Sequence, residues 1–326
     1  MQPQPLTGTK MAHESLSQNV IRILDFDASV IRQENFIKIF STLPHSLQII
    51  NLSNIASSIR YLSSKKRLFS IKDELNNTCH NAITLYGSGD FHHVSLVLFE
   101  QFTTPFSLIV FDHHPDWDSF SLGISCGSWV THASKNENIK KIMLLGPSSS
   151  DLSTQGLVTA SFSALKNKRL EVFPYEKSPS RVFFRHPEDK DCFKVKRGIF
   201  NSMIYWSNLK EKDAAFYESL LSKLPTEDVY ISIDKDCLLN NYAFTNWDEG
   251  EIKLDWLLDF LKLIKKTKNV IGLDITGEYS EIFIKNHFKN LLSAIDHPKP
   301  KAIPDIKKIN SINEKTNIKI LKSLLE

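Results

Sequence analysis

Cysteine is scarce in this sequence. Only four cysteines occur among 326 residues, and they lie far apart at Cys79, Cys126, Cys192 and Cys237, with no Cys-x-x-Cys pair. This usage excludes a disulfide-stapled secreted scaffold and a cysteine-rich zinc module, because both need closely spaced cysteines. Free thiols in a reducing compartment fit the pattern better, and we expect a cytoplasmic protein.

Long apolar runs are also absent. No stretch approaches the roughly 20 apolar residues that cross a bilayer, and the polar segment 1–18 lacks the cationic start and apolar centre of a secretory signal. The net charge of +3 is small for a chain of this length, and the basic residues are dispersed. We therefore expect no membrane partner and no nucleic-acid partner.

The sequence does contain a regular alternation of strand-like and helix-like segments. Its hydrophobic content of 41% and charged content of 24% are ordinary for a chain that buries a core. The alternation, without hairpin signals, predicts an α/β fold, a three-layer α/β/α arrangement around a mostly parallel, doubly wound sheet. We expect a flexible segment over 1–18, one domain over 19–297 and a tail or helix over 298–326. Apolar segments typical of buried strands begin at Val20, Leu47, Ala82, Leu108, Lys141, Leu170, Val229 and Asn269. Residues 54–75 have helical periodicity, and the charged segment 185–197 is expected to form a surface loop or a hairpin.

The segment that follows the strand-like run 108–111 carries a pattern of possible metal ligands. Asp112, His114 and Asp116 are spaced two residues apart, and in an extended chain residues at this spacing point to the same side. Three such side chains would converge on one point. The pattern therefore indicates a cation site, with a solvated turn as the alternative.

Two further strand ends strengthen the metal interpretation. The run 229–233 ends in Asp234-Lys235-Asp236, and the run 82–86 leads into a glycine-containing loop that carries His92 and His93. Open parallel sheets place their sites at the carboxyl ends of the strands, so these ligands are expected to meet the first three. Carboxylates and imidazoles without cysteine favour manganese, although zinc, cobalt, nickel or iron could occupy such a site.

In this order, the motifs Gly-x-Gly-Asp-x-His, Asp-x-His-x-Asp and Ser-x-Asp-x-Asp resemble those of the arginase/agmatinase (ureohydrolase) family over roughly residues 20–295. The resemblance implies an arginase-like fold and a hydrolase with two Mn²⁺ per chain that converts a guanidino group to urea and an amine. It implies a metal-bridging hydroxide as nucleophile, since two close cations lower the pKa of a shared water. The implied ligands are His92, Asp112, Asp116 and Asp234 for one ion, and His114, Asp112, Asp234 and Asp236 for the other.

One ligand position stays open between two histidines. In the family the ligand histidine directly follows Gly-Asp, whereas Phe91 intervenes here, so His93 is an alternative to His92. The resemblance also implies that Glu278 orients the guanidinium, although one extra residue separates it from the strand-end Asp274. Asp116 is the implied general acid for the leaving amine.

The strongest departures from the family lie where arginases recognise a free amino acid. An asparagine and a proton-shuttling histidine of the family are replaced by Asp118 and Trp129. A carboxylate at Asp118 would repel a substrate carboxylate, and the indole of Trp129 cannot carry a proton. We predict that His132 replaces the shuttle, and that Asp118, Trp129 and Asp248 contact the substrate.

These departures favour a substrate whose α-groups are already tied up in peptide bonds. The sequence looks like the atypical peptide arginases of ribosomal peptide maturation, which implies conversion of peptidyl arginine to ornithine in an arginine-containing peptide. A small-molecule ureohydrolase acting on arginine, agmatine or a guanidino acid is the nearest alternative. A metal-dependent deacylase and a non-catalytic binding protein are alternatives of another class, and a homo-oligomer is possible.

Overall fold

The computed structural model describes residues 20–42, 46–76, 81–161, 169–298 and 305–325, together with Thr78 and Leu165. The predicted flexible segment 1–18 lies outside these residues. No helix within them is long and apolar enough to span a bilayer.

A central sheet of eight parallel strands, in the order β2-β1-β4-β13-β12-β5-β7-β8, organises the fold. A short antiparallel pair, β3 with β6, and an antiparallel sheet of β10-β11-β9 complete the strands of the described residues. In chain order the strands are β1 Val20–Asp25, β2 Ser46–Asn51, β3 Leu62–Ser63, β4 Ile83–Leu85, β5 Phe106–Phe111, β6 Ile124–Ser125, β7 Ile139–Gly146, β8 Leu170–Pro174, β9 Ser180–Phe183, β10 Phe193–Arg197, β11 Asn201–Trp206, β12 Asp228–Asp234 and β13 Asn269–Thr276.

The strands at the centre of the sheet are buried on both faces. Every residue of β5 is buried, and only the first residues of β12 and β13 are partly exposed. A strand that is covered on both faces has a nearly continuous apolar sequence, which is why these central strands were predictable; the edge strand β2, where Ile49 is 51% exposed, was predictable from its apolar content. The predicted α/β fold with a mostly parallel, doubly wound sheet is confirmed.

Helices flank the sheet in two groups. The first group contains four longer helices, which pack against one another: Glu34–Thr42, Ala214–Ser222, Leu254–Thr267 and Ile306–Leu325. The second contains short helices: Ser53–Ile59, Lys65–Phe69, Ile71–Leu75, Ser95–Phe99 and Trp129–Ala133. A further helix, His287–Asp296, follows β13. The single helix that periodicity indicated over 54–75 is wrong, because β3 and two breaks interrupt it.

The segment 180–206 forms the small antiparallel sheet that the alternation pattern did not reveal. The sequence left 185–197 open between a surface loop and a hairpin, and the structure shows β10 paired with β11 and β11 paired with β9. The inner face of this sheet is apolar, with Val182 and Ile204 buried. Its outer face carries the exposed residues Arg181, Lys194 and Lys196, and this density of charge made the sequence resemble that of a surface loop.

The helix Ile306–Leu325 packs on the body of the protein. Ile320, Leu321 and Leu324 are buried in the core. The Glu314 carboxylate accepts a hydrogen bond at 2.6 Å from the backbone N–H of Asn35, at the first turn of the helix Glu34–Thr42. This helix therefore caps another element and contributes core residues.

Candidate metal centre

Four adjacent strands deliver the predicted site residues to one edge of the sheet. The central order β4-β13-β12-β5 brings together the loop that carries His92, the end of β12 at Asp234 and the segment that begins at Asp112 after β5. His92 lies in a short 3₁₀ helix, Gly89–Val94, that starts directly after β4 and its turn at Gly87. Gly87 has φ +82°, a conformation that side chains with a Cβ rarely adopt.

The first group of possible ligands surrounds the Nδ1 atom of His92. Asp112 Oδ2 lies 3.1 Å from this nitrogen, Asp116 Oδ2 lies 3.3 Å away and Asp234 Oδ2 lies 3.5 Å away. All four side chains are buried. Their oxygen and nitrogen atoms face one another at distances that suit joint ligation of one cation.

A second group shares Asp112 with the first. His114 Nδ1 lies 2.9 Å from Asp236 Oδ2 and 3.9 Å from Asp112 Oδ1. Candidate ligand atoms of Asp112, His114 and Asp236 all lie within 4.8 Å of one another, as do those of His92, Asp112 and Asp234. The two carboxylate oxygens of Asp112 therefore face different groups, which is the arrangement of a bridging ligand.

Backbone hydrogen bonds hold these carboxylates in place. Asp112 Oδ1 accepts from the N–H of His114 at 2.7 Å, and Asp234 Oδ1 accepts from the N–H of Asp236 at 3.0 Å. Gly277 permits the close approach of β13, because a Cβ at this position would lie 2.4 Å from Asp234 Oδ1. Each carboxylate is thus positioned by its own strand end.

The electrostatics of the cluster favour a bound cation. Burial, and then repulsion by Asp116, raise the pKa of Asp112 to about 6, and burial together with Asp236 raises the pKa of Asp234 well above its ordinary value. Asp112 Oδ2 and His92 Nδ1 are buried without a hydrogen-bond partner. Buried polar atoms are normally paired, so a cation between them would remove both the repulsion and the missing contacts.

The structure separates the two neighbouring histidines. His92 Nε2 lies 2.9 Å from Ser232 Oγ, and this hydroxyl donates to Asp274 at 2.6 Å, which fixes the imidazole with Nδ1 towards the carboxylates. His93 Nε2 instead contacts the carbonyl of Ile59 at 3.1 Å. Of the two, His92 alone takes part in the cluster.

Trp129 stabilises the cluster from behind. Its Nε1 donates to Asp116 Oδ2 at 2.6 Å, and its ring lies against His92 with centroids 4.6 Å apart. Asp116 has φ +47°, which is unusual for a residue with a side chain and needs such support. Trp129, predicted to contact the substrate, is fully buried and does not line the cavity described below.

Glu278 is engaged elsewhere. Its Oε1 accepts from Lys235 Nζ and, at 2.7 Å, from Asn317 Nδ2 of the C-terminal helix. Lys235 is fully buried and Glu278 is nearly so. This placement departs from the predicted role of Glu278 in orienting the guanidinium, since a cation of the chain itself already occupies its carboxylate.

The predicted proton shuttle is also displaced. His132 lies on the helix Trp129–Ala133 and lines a neighbouring surface depression together with Lys65 and Lys135. Burial, and then these two lysines, lower the pKa of His132. The structure therefore does not bring His132 to the ligand cluster.

A cavity of about 630 Å³ opens above the cluster. Its lining includes eight aspartates and, among the described residues, no lysine or arginine. Asp118 and Asp248, predicted to contact substrate, are among them. Asp151 and Asp296 also line the cavity and were not predicted from the sequence. Asp151 follows the end of β7 by five residues, so its position after a strand end was a signal for it. The floor of this cavity is strongly anionic.

A buried network supports the wall of the cavity at Trp247. The Asp90 carboxylate pairs with Arg60 at 2.6 Å and accepts from Trp247 Nε1 at 3.1 Å, while His297 Nε2 lies 2.7 Å away. The rings of Trp247 and His297 pack with centroids 4.2 Å apart. Asp90 thus connects the 3₁₀ helix Gly89–Val94 to Trp247 and to His297, which are distant in the chain.

Comparison with known proteins relates the fold of this chain to that of arginases. No protein-family model matches the sequence. An uncharacterised protein of Thermotoga maritima is 25% identical over 258 residues, which cover 79% of both chains. The arginase of Entamoeba histolytica, solved with L-ornithine, has a TM-score of 0.59 at 13% identity, with 94% of this chain and 98% of that chain covered.

Two other solved structures share the architecture. Proclavaminate amidino hydrolase from Streptomyces clavuligerus has a TM-score of 0.55 at 14% identity, covering 96% of this chain and 94% of that one. Formimidoylglutamase from Bacillus subtilis has a TM-score of 0.56 at 13% identity, covering 100% and 96%. The chain therefore has the arginase fold.

Proposed function

We propose that this arginase-fold chain is a metal-dependent amidinohydrolase that cleaves a guanidino group to urea and an amine. The observation that carries the proposal is the pair of ligand groups that share Asp112 at the floor of an anionic cavity. Solved proteins of the same fold are named arginase, amidino hydrolase, formimidoylglutamase and agmatine ureohydrolase, which supports this reaction class.

The six clustered side chains would hold two divalent cations. His92, Asp112, Asp116 and Asp234 would hold one, and Asp112, Asp234, His114 and Asp236 the other. When bound, the two cations supply a nucleophile by lowering the pKa of a shared water. A set of carboxylates and two imidazoles suits manganese better than it suits structural zinc.

Asp116 is the group we assign to proton transfer. It lines the cavity, and its contacts with Trp129 and His92 both use Oδ2. Water adds to the guanidino carbon, the bond from that carbon to the substrate nitrogen breaks, and Asp116 passes the proton to the departing amine. The products are urea and an alkylammonium that keeps the positive charge of the guanidinium, so atoms and charge balance.

The cavity favours a cationic substrate. Four of the eight aspartates are assigned to the metal ions. The other four, Asp118, Asp151, Asp248 and Asp296, would attract a guanidinium and accept from its N–H groups, and the described lining has no lysine or arginine to oppose them. Because Glu278 is paired with Lys235, we assign the guanidinium contacts to Asp118, Asp151 and Asp248 of the lining instead. A free α-carboxylate would face the like charges of these aspartates, with no lysine or arginine of the described lining to pair with it.

Peptidyl arginine is therefore the substrate we favour over free arginine. Its α-amino and α-carboxyl groups are neutralised in peptide bonds, so the anionic cavity need accept only the guanidinium. The product would be ornithine within the same peptide. Agmatine, which also lacks a carboxylate, is the nearest small-molecule competitor.

Urea release by manganese-loaded protein tests the proposal. Free arginine, agmatine and an end-blocked arginine peptide would be compared, with Asp234→Asn as the control that removes one ligand. We expect urea from the peptide, with a mass decrease of about 42 Da on that peptide, and none from the Asp234→Asn protein. Urea from arginine or agmatine alone would replace the peptide assignment by a small-molecule one, and no urea from any substrate would refute the reaction class.

A further inference from the structure

Apolar side chains surround the anionic floor of the cavity. Phe120, Leu122 and Ile295 line the same cavity as the aspartates, yet their exposed fractions are 71%, 81% and 70%. Leu62 and Leu292 add further apolar surface to this lining. We call Phe120, Leu122 and Ile295 the apolar rim.

The backbone that carries Phe120 and Leu122 is anchored on both sides. Asp118 accepts from the N–H of Phe120 at 3.0 Å, and the Ser119 N–H and hydroxyl both donate to the carbonyl of Thr159, at 3.1 and 2.7 Å. After Leu122 the chain forms β6, which pairs with β3. The two side chains are thus exposed on a backbone that hydrogen bonds hold in place.

The helix that carries Ile295 is anchored as well. Asn286 caps the helix His287–Asp296, and Lys289 Nζ donates to the carbonyls of Ser57 and Ser58 at 3.1 and 3.0 Å. At the other end, Tyr61 donates to Asp296. Because the backbone on both sides of the rim is already held in place, binding of a ligand there costs little free energy for ordering it.

We propose that the apolar rim binds apolar residues of a peptide whose basic side chain occupies the anionic floor. The inference deepens the proposed function by naming a sequence preference for its substrate, and it rests on that function for the identity of the basic residue. Charge complementarity selects the occupant, since the four lining aspartates that are not assigned to metal, Asp118, Asp151, Asp248 and Asp296, favour a cation, while the rim offers exposed apolar surface nearby. Free arginine and agmatine carry no second side chain that could cover this apolar surface.

The preferred positions follow from the geometry of an extended chain. Side chains two residues apart point to the same side and lie roughly 7 Å apart. Apolar residues two positions before and two positions after the basic residue would therefore face the rim. Leucine at both positions is the preferred sequence, and serine at both is the matched polar one.

Binding of lysine peptides tests the inference without any turnover. End-blocked, fluorescently labelled Leu-Gly-Lys-Gly-Leu and Ser-Gly-Lys-Gly-Ser carry the cationic charge, but lysine cannot release urea. Fluorescence anisotropy with manganese-loaded protein would give the affinity ratio of the two peptides. We expect about tenfold tighter binding of the leucine peptide, as burial of one or two apolar side chains provides.

Matched variants locate the preference on the rim. Phe120→Ser and Ile295→Ser should each reduce the affinity ratio severalfold. The control variants are Leu291→Ser and Phe200→Ser. Leu291 lies on the helix His287–Asp296 and is 59% exposed, and Phe200 lies directly before β11 and is 68% exposed. Neither residue lines the cavity. Both controls should keep the wild-type ratio, and thermal unfolding of all four proteins would verify that they are folded.

The outcomes separate this inference from the proposed function. If the preference for the leucine peptide is lost only in Phe120→Ser and Ile295→Ser, the result supports peptide binding at the apolar rim, whether or not arginine peptides release urea. A wild-type ratio near one, or a ratio retained in Phe120→Ser and Ile295→Ser, overturns it. A dimer in sedimentation that Phe120→Ser dissociates also overturns it, because a second copy would then cover the rim. Urea release from the corresponding arginine peptides reports on the proposed function alone.

Discussion

Lys235 and Glu278 form a fully enclosed ion pair directly beneath the ligand cluster. Lys235 lies between Asp234 and Asp236 in the chain, yet its Nζ pairs with Glu278. Burial lowers the pKa of Lys235, and Glu278 opposes that shift. The pair joins the end of β12 to the segment after β13 and, through Asn317, to the C-terminal helix.

Breaking this pair should destabilise the fold. Glu278→Leu or Lys235→Met would each leave one charge buried without its partner, at a cost of about 3–5 kcal/mol. The double variant should cost much less than the sum of the two, because neither charge remains. Denaturant unfolding of the four proteins measures these values, and additive costs would contradict the pairing.

Glu278→Gln separates the structural role from the predicted substrate contact. If Glu278 acts mainly by pairing with Lys235, Glu278→Gln should lower the unfolding midpoint. A normal midpoint with a large increase in KM would instead return Glu278 to substrate binding.

Trp129 should influence metal affinity. Trp129→Phe keeps the packing against His92 but removes the 2.6 Å hydrogen bond to Asp116 Oδ2. Loss of a hydrogen bond to a ligand commonly costs about 10- to 100-fold in metal affinity, and we expect that range for Mn²⁺ in a calorimetric titration. Trp206→Phe, which loses a 3.0 Å bond to Ser180 in the small sheet, is the control and should bind Mn²⁺ normally.

Stability of the metal-free protein should fall as pH rises. The pKa of Asp112 is raised to about 6, against about 3.9 in an unfolded chain, so the native state holds this proton more tightly. The stabilisation is present below about pH 4 and is lost as pH increases to about 6. Thermal unfolding in a chelator across this range measures the loss. Added Mn²⁺, which replaces the proton, should restore the midpoint above about pH 6.

Asp112→Asn provides the control for this pH dependence. An amide has no proton to lose in this range, so its metal-free midpoint should decline less. Parallel pH curves for the two proteins would show that another group is responsible.

His132 should be dispensable for turnover. It lies beside Lys65 and Lys135 in a neighbouring depression and does not line the cavity itself, so His132→Asn should change urea release by no more than about twofold. Loss of a general acid or base usually costs roughly 100-fold or more. A decrease of that size in kcat, with an unchanged unfolding midpoint, would show that His132 does carry a proton.

Much of the fold was predictable because its signals are local. The eight strands of the main sheet are short segments rich in apolar residues, and the candidate ligands His92, Asp112 and Asp234 lie at or after strand ends, where parallel topology brings them together. The long helix expected over 54–75 failed for a tertiary reason. Arg60 turns inward to pair with Asp90, and Tyr61 takes φ +68°, which ends the helix.

The sequence by itself determined the strands of the sheet and the candidate ligands, because apolar periodicity and two-residue spacing act over a few neighbouring positions. Only the tertiary structure decided which polar side chains face the cavity. Glu278 meets Lys235 and Asn317 from segments far away in the chain, and Trp129 reaches Asp116 instead of substrate. Phe120 and Ile295 of the apolar rim likewise line one cavity although they are distant in the chain. Such pairings depend on how separate elements pack, which no local pattern records.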